Sequence, residues 1–321
     1  MNGIIMVMFK KAFTIVELLI VIVVVGVLAA ITVVSYIGIT NQANISTIKA
    51  NIAQVSQKLQ QYKIQNSDSY PLDKATAESF IGIKLSKYLY NQNSVTGMKN
   101  YCATYNSGGV SYSVTSTYSK PLEGDCVENM AIDPDAAGST THFSRSGSLP
   151  DSYSTTEISS LRSHHGDTSL RKVISAVHTG TGGAGATVRT TGVVPAGTRI
   201  NYSGWVYATG SDTIHEYADN HKVSDGSYGC SSIGGASTPT AVLSNTWVYF
   251  SAYTVPGVDC TNIWVGGYAM DSLQVGDEVY FDQFMATTGD NFYNYGDGNS
   301  IGWFWTGDAN ASTSIGPAEA M

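Results

Sequence analysis

An apolar run extends from Phe13 to Thr40. A helix of roughly 20 apolar residues crosses the hydrocarbon core of a bilayer, so this run is long enough to span a membrane. Beyond it, apolar side chains recur at alternating spacings of three and four, which is the pattern of one helix face. These side chains are Ile45, Ile48, Ile52, Val55, Leu59 and Tyr62. The pattern predicts one long helix over 13–65, with its membrane part at 13–40 and its second half packed on a globular head.

Shorter elements follow the long helix. Turn-forming residues around Pro71 end it, and a less regular helical pattern covers Ala75–Leu89. Two alternating stretches, Tyr101–Tyr105 and Gly109–Thr115, then flank an Asn-Ser-Gly-Gly turn, which predicts a hairpin. We therefore expect a small α+β head over 66–130.

Short alternating stretches dominate the chain beyond 131–140, a segment that we interpret as a linker. The clearest are 170–177, 185–191, 200–208, 246–255, 262–269 and 278–285. Strands of this length, separated by Gly, Asp, Ser and Pro, indicate an all-β jelly-roll sandwich, which we place at 141–290. The tail, 291–321, is aromatic and then Ser/Thr-rich, and we expect it to be disordered from about Ser314.

The charge of the chain excludes one class of partner. Only 13% of its residues are charged, the net charge is −8, and Lys222 is the last lysine or arginine. A nucleic-acid-binding protein needs a clustered basic face, so no nucleic-acid partner is expected.

The four cysteines form two couples that are local in the sequence, Cys102 with Cys126 and Cys230 with Cys260. Four cysteines allow three pairings, and the local one is favoured because each couple falls in a different predicted domain. Disulfides form outside the reducing cytosol, which suits an exported protein. The alternative is four buried free thiols. No spacing typical of a zinc site is present.

An acid, Glu17, lies inside the apolar run, and two lysines, Lys10 and Lys11, precede the run. The lysines should stay cytoplasmic, with the rest of the chain outside. An acid in a membrane segment costs a few kcal/mol (about 2.5–3.5 at the bilayer centre), so it usually has a partner and a function. The segment Lys-Lys-Ala-Phe-Thr-Ile-Val-Glu resembles the signal and N-methylation motif of type IV prepilins, with 1–12 as the leader.

This resemblance implies how the chain is processed and assembled. A prepilin peptidase would cut between Ala12 and Phe13, and the new N-terminus at Phe13 would be methylated. Glu17 would then attract the terminal amine of a neighbouring pilin subunit, because a buried amine and a buried carboxylate are costly apart. Gly26 would allow local helix melting on assembly. Two residues depart from the motif: Ala12 replaces the usual glycine, and Val34 stands where many pilins have proline.

Four stretches of the second domain also carry a resemblance. GDTSLRKV, RINYSGWVYATG, NTWVYFSAYTVP and GDEVYFDQF resemble the jelly-roll carbohydrate-binding modules found beside glycoside hydrolases, which implies a glycan ligand. Sugar rings stack on aromatic faces, because their C–H bonds meet the negative face of the ring. The candidate ligand-binding residues, each of which could instead belong to the core, are Trp205, Tyr207, Trp247, Tyr249 and Trp264.

Alternation along 247–253 separates an aromatic face from an apolar one. Because one of these faces must be buried, Trp247 and Tyr249 could form the outward face. The same resemblance makes Asp282 a possible ligand for structural Ca²⁺, and no other cofactor is expected. Calcium takes six to eight oxygens, so one aspartate does not define a site. The alternative for Asp282 is a solvated or hydrogen-bonded carboxylate.

The cluster His164-His165-Gly166-Asp167 is the one that most suggests catalysis. Adjacent residues on a strand point to opposite faces, so this pair would rarely make one site. Nucleophile-elbow, zinc-protease and P-loop motifs are absent from the sequence, and we expect no enzyme.

The predicted function is that of a structural or adhesive subunit of a type IV pilus-like surface filament. The chain would cross the cytoplasmic membrane once before assembly and stand on the cell surface afterwards. Its partners would be other pilin subunits, a prepilin peptidase, the membrane and a cell-surface glycan. The alternatives are a pseudopilin or anchored component of a type II secretion or DNA-uptake machine and, less favoured, a glycan-active enzyme.

Overall fold

A computed structural model describes residues 15–144, 154–176, 184–190, 192–223, 240–242, 244–270 and 273–321. The chain divides into two compact units, Met1–Thr47 and Ile48–Met321. The helices are α1 (Ile15–Gln65), α2 (Lys74–Ile81) and a 3₁₀ turn (Thr140–His142).

The strands fall into three groups along the chain. The first group is β1 (Lys87–Gln92), β2 (Lys99–Ser107), β3 (Val110–Thr115), β4 (Leu122–Glu123) and β5 (Asp125–Asn129). The second is β6 (Phe143–Ser144), β7 (Ser154–Ser159), β8 (Ser169–Ile174), β9 (Ala184–Arg189), β10 (Val193–Val194), β11 (Ile200–Ala208), β12 (Asp212–Lys222), β13 (Thr240–Val242), β14 (Trp247–Thr254), β15 (Cys260–Met270) and β16 (Glu278–Thr288). The third is β17 (Phe304–Trp305) and β18 (Ser314–Ala318).

Helix α1 confirms the predicted long helix and ends at the predicted residue, Gln65. In the first unit its large apolar side chains, from Ile15 to Ile39, are exposed. Among the described residues, α1 is the one helix that is long and apolar enough to cross a membrane. In the second unit its apolar stripe is fully buried, as at Ile48 and Leu59. The buried half packs on a head in which Tyr101 places its hydroxyl 3.4 Å from Ser56 Oγ.

Helix α2 is shorter than the predicted stretch Ala75–Leu89, and the helical prediction beyond Ile81 is wrong. Gly82 adopts the left-handed conformation (φ 73°) and its N–H bonds the carbonyl of Glu78, which ends the helix. The next residues form β1, which pairs antiparallel with β2. The predicted hairpin is present as β2 and β3 in a four-stranded sheet.

The head is cross-linked by the predicted Cys102–Cys126 disulfide, whose Cα atoms lie 5.7 Å apart. Both sulfurs lie in a buried apolar cluster with Phe304 and Ile315. Cys260 is also disulfide-bonded. Its predicted partner lies outside the described residues, so that pairing stays a prediction.

The tail does not become disordered at Ser314, and that expectation is wrong. Strand β18 lies between β17 and β5 in a three-stranded sheet and is buried. The cause is the packing of Trp303, whose indole N–H bonds the carbonyl of Pro317 at 3.0 Å. A Cβ on Gly296 or Gly316 would lie within 2.3 Å of that indole, so glycine is required at both positions. The tail thus completes the sheet that begins with β5.

The segment 131–140, which we interpreted as a linker, packs into the molecule. Ala131 and Ala136 are fully buried. The carboxylate of Asp133 accepts hydrogen bonds from the N–H groups of Ala137, Gly138 and Ser139.

The side chain of Asn129, which is fully buried, joins β5 to β16 and to the tail. Its amide nitrogen donates to the carbonyls of Phe284 (3.0 Å) and Gly296 (3.1 Å). Its oxygen accepts from the N–H groups of Ala131 and Ala286. All of its hydrogen-bonding capacity is therefore used at the point where head, tail and sandwich strands meet.

The second group of strands forms two antiparallel sheets that enclose one apolar core. One sheet has five strands in the order β14-β11-β16-β8-β7, and the other has six, with the path β13-β12-β15-β9-β6 and β10 paired to β15. The predicted fold class is confirmed: a long N-terminal helix with an α+β head, followed by an all-β jelly-roll sandwich. The six predicted stretches correspond to β8, β9, β11, β14, β15 and β16. Strand β12 was not predicted, because its sequence, DTIHEYADNHK, is mostly polar.

Candidate ligand-binding face

Alternation along β11 and β14 sends aromatic side chains to the outside of the five-stranded sheet. Strand β11 places Trp205 and Tyr207 outward, because Val206 and the other alternate residues lie in the core. On the neighbouring strand, Tyr249 lies opposite Trp205, and Trp247 lies opposite Tyr207. The rings of each opposite pair are 5.5 Å apart. We call the outward side chains of these four residues the aromatic face.

Four of the five predicted ligand-binding aromatics therefore come together. Trp205, Trp247 and Tyr249 are half-buried. Tyr207 is only 5% exposed, and its hydroxyl donates to Asn245 Oδ1 at 2.8 Å, so it serves as the floor of the face. The fifth, Trp264, belongs by its backbone to β15 in the other sheet, and its side chain lies outside the described residues.

The loop formed by residues 160–168, between β7 and β8, covers part of the aromatic face. The His164 ring stacks on Trp205 with a centroid distance of 3.9 Å and an angle of 15°. It also meets the edge of Trp247 at 5.5 Å. His164 and His165 lie in this loop and not, as we had expected, on a strand. The alternation of strand side chains therefore does not separate them.

A β-bulge helps to hold His164. The register of β16 against β11 shifts opposite Ser203 and Trp205, and Gln283 takes a positive φ of 52°. The Gln283 amide oxygen lies 2.6 Å from His164 Nδ1. Because an amide oxygen only accepts, we assign the proton to Nδ1. Bulges often re-aim a side chain in this way.

Asp282 anchors the same loop from beneath. This fully buried carboxylate accepts N–H bonds from His164 (2.6 Å), His165 (3.1 Å) and Gln283 (2.7 Å). Burial raises the pKa of Asp282, and these hydrogen bonds oppose that rise. The sequence marks Asp282 as a possible metal ligand, and the structure gives it three backbone donors.

A second buried acid, Asp135, lies against Asp282. Burial, and after it the charge of Asp282, raises the pKa of Asp135 to about 9. The Asp135–Asp282 pair therefore shares a proton at neutral pH. Calcium would need six to eight oxygens. The described part of the chain contains no group of three His, Cys, Asp or Glu side chains arranged to hold a metal ion. A calcium ion at Asp282 would therefore need backbone carbonyl, amide or hydroxyl oxygens besides these two carboxylates.

Charged side chains border the aromatic face on β8 and β16. Arg171 forms ion pairs with both Glu157 and Glu278. The Tyr280 hydroxyl also donates to Glu278. Arg171, followed by Tyr280, lowers the pKa of Glu278, so this carboxyl is ionised and engaged. Arg162, from the 160–168 loop, places its guanidinium carbon 4.7 Å from the Tyr207 ring centroid.

Two of the predicted N-terminal site residues, Glu17 and Gly26, lie in the exposed part of α1. Glu17 is on its exposed first turns, and Gly26 has open space around the position of a Cβ. Ala12 and Phe13 lie outside the described residues. The sequence did not predict that His164 and Arg162 lie over the aromatic face. Their only local signal is that an arginine and a histidine precede a strand within a Ser- and Gly-rich segment.

No protein-family model matches this chain, and no curated protein matches it. Several solved structures are similar to part of it. The CBM22-1 xylan-binding domain of Paenibacillus barcinonensis Xyn10C is 12% identical with a TM-score of 0.35, covering 51% of this chain and 95% of that one. The C-terminal family 22 carbohydrate-binding module of Clostridium thermocellum Xyn10B is 18% identical with a TM-score of 0.33, covering 48% and 89%. A putative sugar-binding protein from Bacteroides thetaiotaomicron is 10% identical with a TM-score of 0.33, covering 51% and 95%.

Proposed function

We propose that this protein is a type IV pilin-like surface subunit whose sandwich binds glycan through the aromatic face. The observation that carries the glycan part is the clustering of three half-buried aromatic side chains, Trp205, Trp247 and Tyr249, on one outer face. Large aromatic side chains on the outside of a sheet gain less from burial than core residues do, so a role in recognition accounts for them better than stability.

The surroundings of these rings suit sugars. A sugar ring presents apolar C–H faces for stacking and hydroxyl groups around its edge. The aromatic face offers rings for the first, and the imidazole of His164 and the guanidinium of Arg162 offer polar groups for the second. Both of these polar residues are exposed to solvent.

The filament part of the proposal rests on α1. Its exposed apolar side chains from Ile15 to Ile39 need lipid before assembly and neighbouring subunits afterwards. Glu17, in the first turns of this segment, would meet the methylated amine of a neighbouring subunit after cleavage between Ala12 and Phe13. A pseudopilin of a secretion or DNA-uptake machine would share these features. Loss of secretion without loss of visible filaments in a deletion strain would favour that alternative.

Catalysis is the less supported alternative. A glycosidase needs two carboxyl groups that face the scissile bond from both sides. On the outer face of this sheet, Glu278 is engaged by Arg171 and Tyr280, and Asp282 is buried under three N–H donors. These carboxylates are held in place for structure rather than presented to a substrate.

A glycan array with the full-length protein in detergent micelles tests the binding role. We expect binding to a subset of glycans and its loss in Trp247→Ala. The matched control is Tyr253→Ala, which lies on the same strand and the same outer side but is covered by Arg199 at 3.9 Å. Binding that survives Trp247→Ala, or that Tyr253→Ala abolishes equally, would contradict the assignment of the aromatic face.

Intact-mass and N-terminal analysis of protein sheared from cells tests the filament role. The proposal expects a chain that begins at Phe13 and is heavier by one methyl group. A chain that keeps Lys10 and Lys11 would instead indicate a plain membrane anchor.

A further inference from the structure

Two polar side chains from one loop, Arg162 and His164, lie over the two outward aromatic residues of β11. Arg162 lies over Tyr207, with 4.7 Å between the guanidinium carbon and the ring centroid, and His164 stacks on Trp205 at 3.9 Å. Both belong to the 160–168 loop, which is pinned to the sheet by the N–H bonds from His164 and His165 to Asp282. The loop thus holds one cationic group, the guanidinium of Arg162, above the aromatic face.

The two arginines near this face differ in their partners. Arg171 is neutralised by Glu157 on one side and Glu278 on the other. Arg162 forms no ion pair with any residue in the described part of the chain, and its side chain is exposed. It acts on Glu278 only by charge at a distance. The guanidinium of Arg162 therefore keeps its N–H donors available to a ligand.

The cation–π contact with Tyr207 holds this guanidinium close to the ring. An arginine held against an aromatic ring loses less freedom when it forms hydrogen bonds, and its planar fork matches a carboxylate with two parallel N–H bonds. Tyr207 also touches Trp247 at 5.5 Å, so a sugar stacked on Trp247 would have Arg162 one ring away.

We propose that the aromatic face selects glycans that carry carboxylate groups, such as chains with uronic acid residues, and that Arg162 determines this specificity. This inference rests on the proposed glycan-binding function and adds the chemical class of the ligand. A neutral glycan needs only the rings and hydroxyl-bonding groups, whereas an arginine that lies over a ring and has no ion-pair partner in the described part of the chain is suited to an anion.

The test compares matched ligands on the full-length protein. The array includes neutral, uronic-acid and sulfated glycans, and the tightest uronic-acid ligand is then measured beside its methyl ester by calorimetry. Esterification removes the charge and keeps the sugar ring. A charge-assisted bidentate contact predicts that the acid binds roughly 10- to 100-fold more tightly than the ester.

Arg162→Gln should abolish the preference for the acid while retaining binding of the ester. Arg162→Lys should restore only part of it, because lysine keeps the charge and lacks the fork. The control is Arg199→Gln, which removes an arginine stacked on Tyr253 away from the aromatic face and should leave the preference intact.

Three outcomes would overturn the inference. Equal binding of acid and ester, with binding still lost in Trp247→Ala, would refute carboxylate selection and leave the proposed function standing. Equal preference for sulfated and carboxylated ligands would show that the face recognises negative charge of any kind, and not the planar carboxylate that the guanidinium fork matches. Absence of binding to every glycan would remove the proposed function and this inference together.

Discussion

Strand β14 sends Phe250 and Ala252 into the sandwich core and Trp247 and Tyr249 to the outside. Phe250 is 1% exposed and packs in the apolar core against Phe284, whereas the outward rings are half-buried and lie beside histidine and tyrosine side chains. The two faces are therefore made of alternate residues of the same strand, but only one of them excludes water. Aromatic content alone therefore does not distinguish core from surface. The polarity of the side chains that contact each ring does.

The inner face should carry most of the stability of this sheet. Phe250→Ala removes a fully buried ring and leaves a cavity, so we expect the free energy of unfolding to fall by about 3–5 kcal/mol. Urea denaturation followed by tryptophan fluorescence measures it. Phe250→Leu is the control and should cost less, because it retains most of the apolar volume. A loss below about 1 kcal/mol in the alanine variant would break the distinction between the faces.

A smaller effect is expected where Phe250 packs on backbone. Gly204 lies opposite Phe250 on β11, and a Cβ there would lie 2.8 Å from the Phe250 ring. Gly204→Ala should therefore destabilise the protein by about 1–3 kcal/mol through overpacking. Combining it with Phe250→Leu should cost less than the sum of the two changes, because the smaller side chain makes room. Strict additivity in this double-mutant cycle would show that the two residues do not compete for the same space.

The buried acid pair makes stability depend on pH. The folded-state pKa of Asp135, about 9, lies above the ordinary value of about 3.9, so the folded state binds the proton more tightly. This contribution is complete below about pH 4 and is lost as pH rises toward about 9, with a slope of at most about 1.4 kcal/mol per pH unit. Asp135→Asn should flatten the profile of unfolding midpoint against pH. An unchanged slope would place the proton elsewhere, and added Ca²⁺ that stabilises only the wild type at high pH would indicate an ion instead.

The smallest effect should come from the outer face. Trp247→Ala should lower the free energy of unfolding by about 1 kcal/mol or less, because the ring is only half-buried. The same denaturation experiment measures it beside Phe250→Ala. A loss as large as that of the core variant would mean that the aromatic face supports the fold rather than a ligand.

Much of this architecture is visible in local periodicity. The helix stripe at Ile48 and Leu59 and the alternation at Trp247 and Phe250 depend on neighbours within a few residues, so the sequence predicts them. The contacts that hold His164 come instead from residues far away in the sequence. Asp282 is 118 positions away from His164, and Gln283 reaches it only through a bulge. No sequence period reports a contact of that separation.

The errors have equally specific causes. The helical pattern of Ala75–Leu89 contains its stop signal, Gly82, and the last apolar residues of the pattern, Tyr88 and Leu89, belong to β1. The tail looked disordered because it is rich in small and polar residues. Its burial depends on Trp303 fitting between Gly296 and Gly316, a match that exists only in three dimensions.

The pairing of β5 with β18 has a consequence for the order of events during biosynthesis. Chains are synthesised from the N-terminus, and domains generally fold as they emerge. The sandwich is complete once β16 is available, but β5 keeps an open edge until Ser314–Ala318 arrives. An open strand edge is a template for pairing with another chain. The head is therefore the first globular part to be synthesised and the last to be completed. A ribosome that stalls before Ser314 leaves the sandwich folded and β5 without its partner strand.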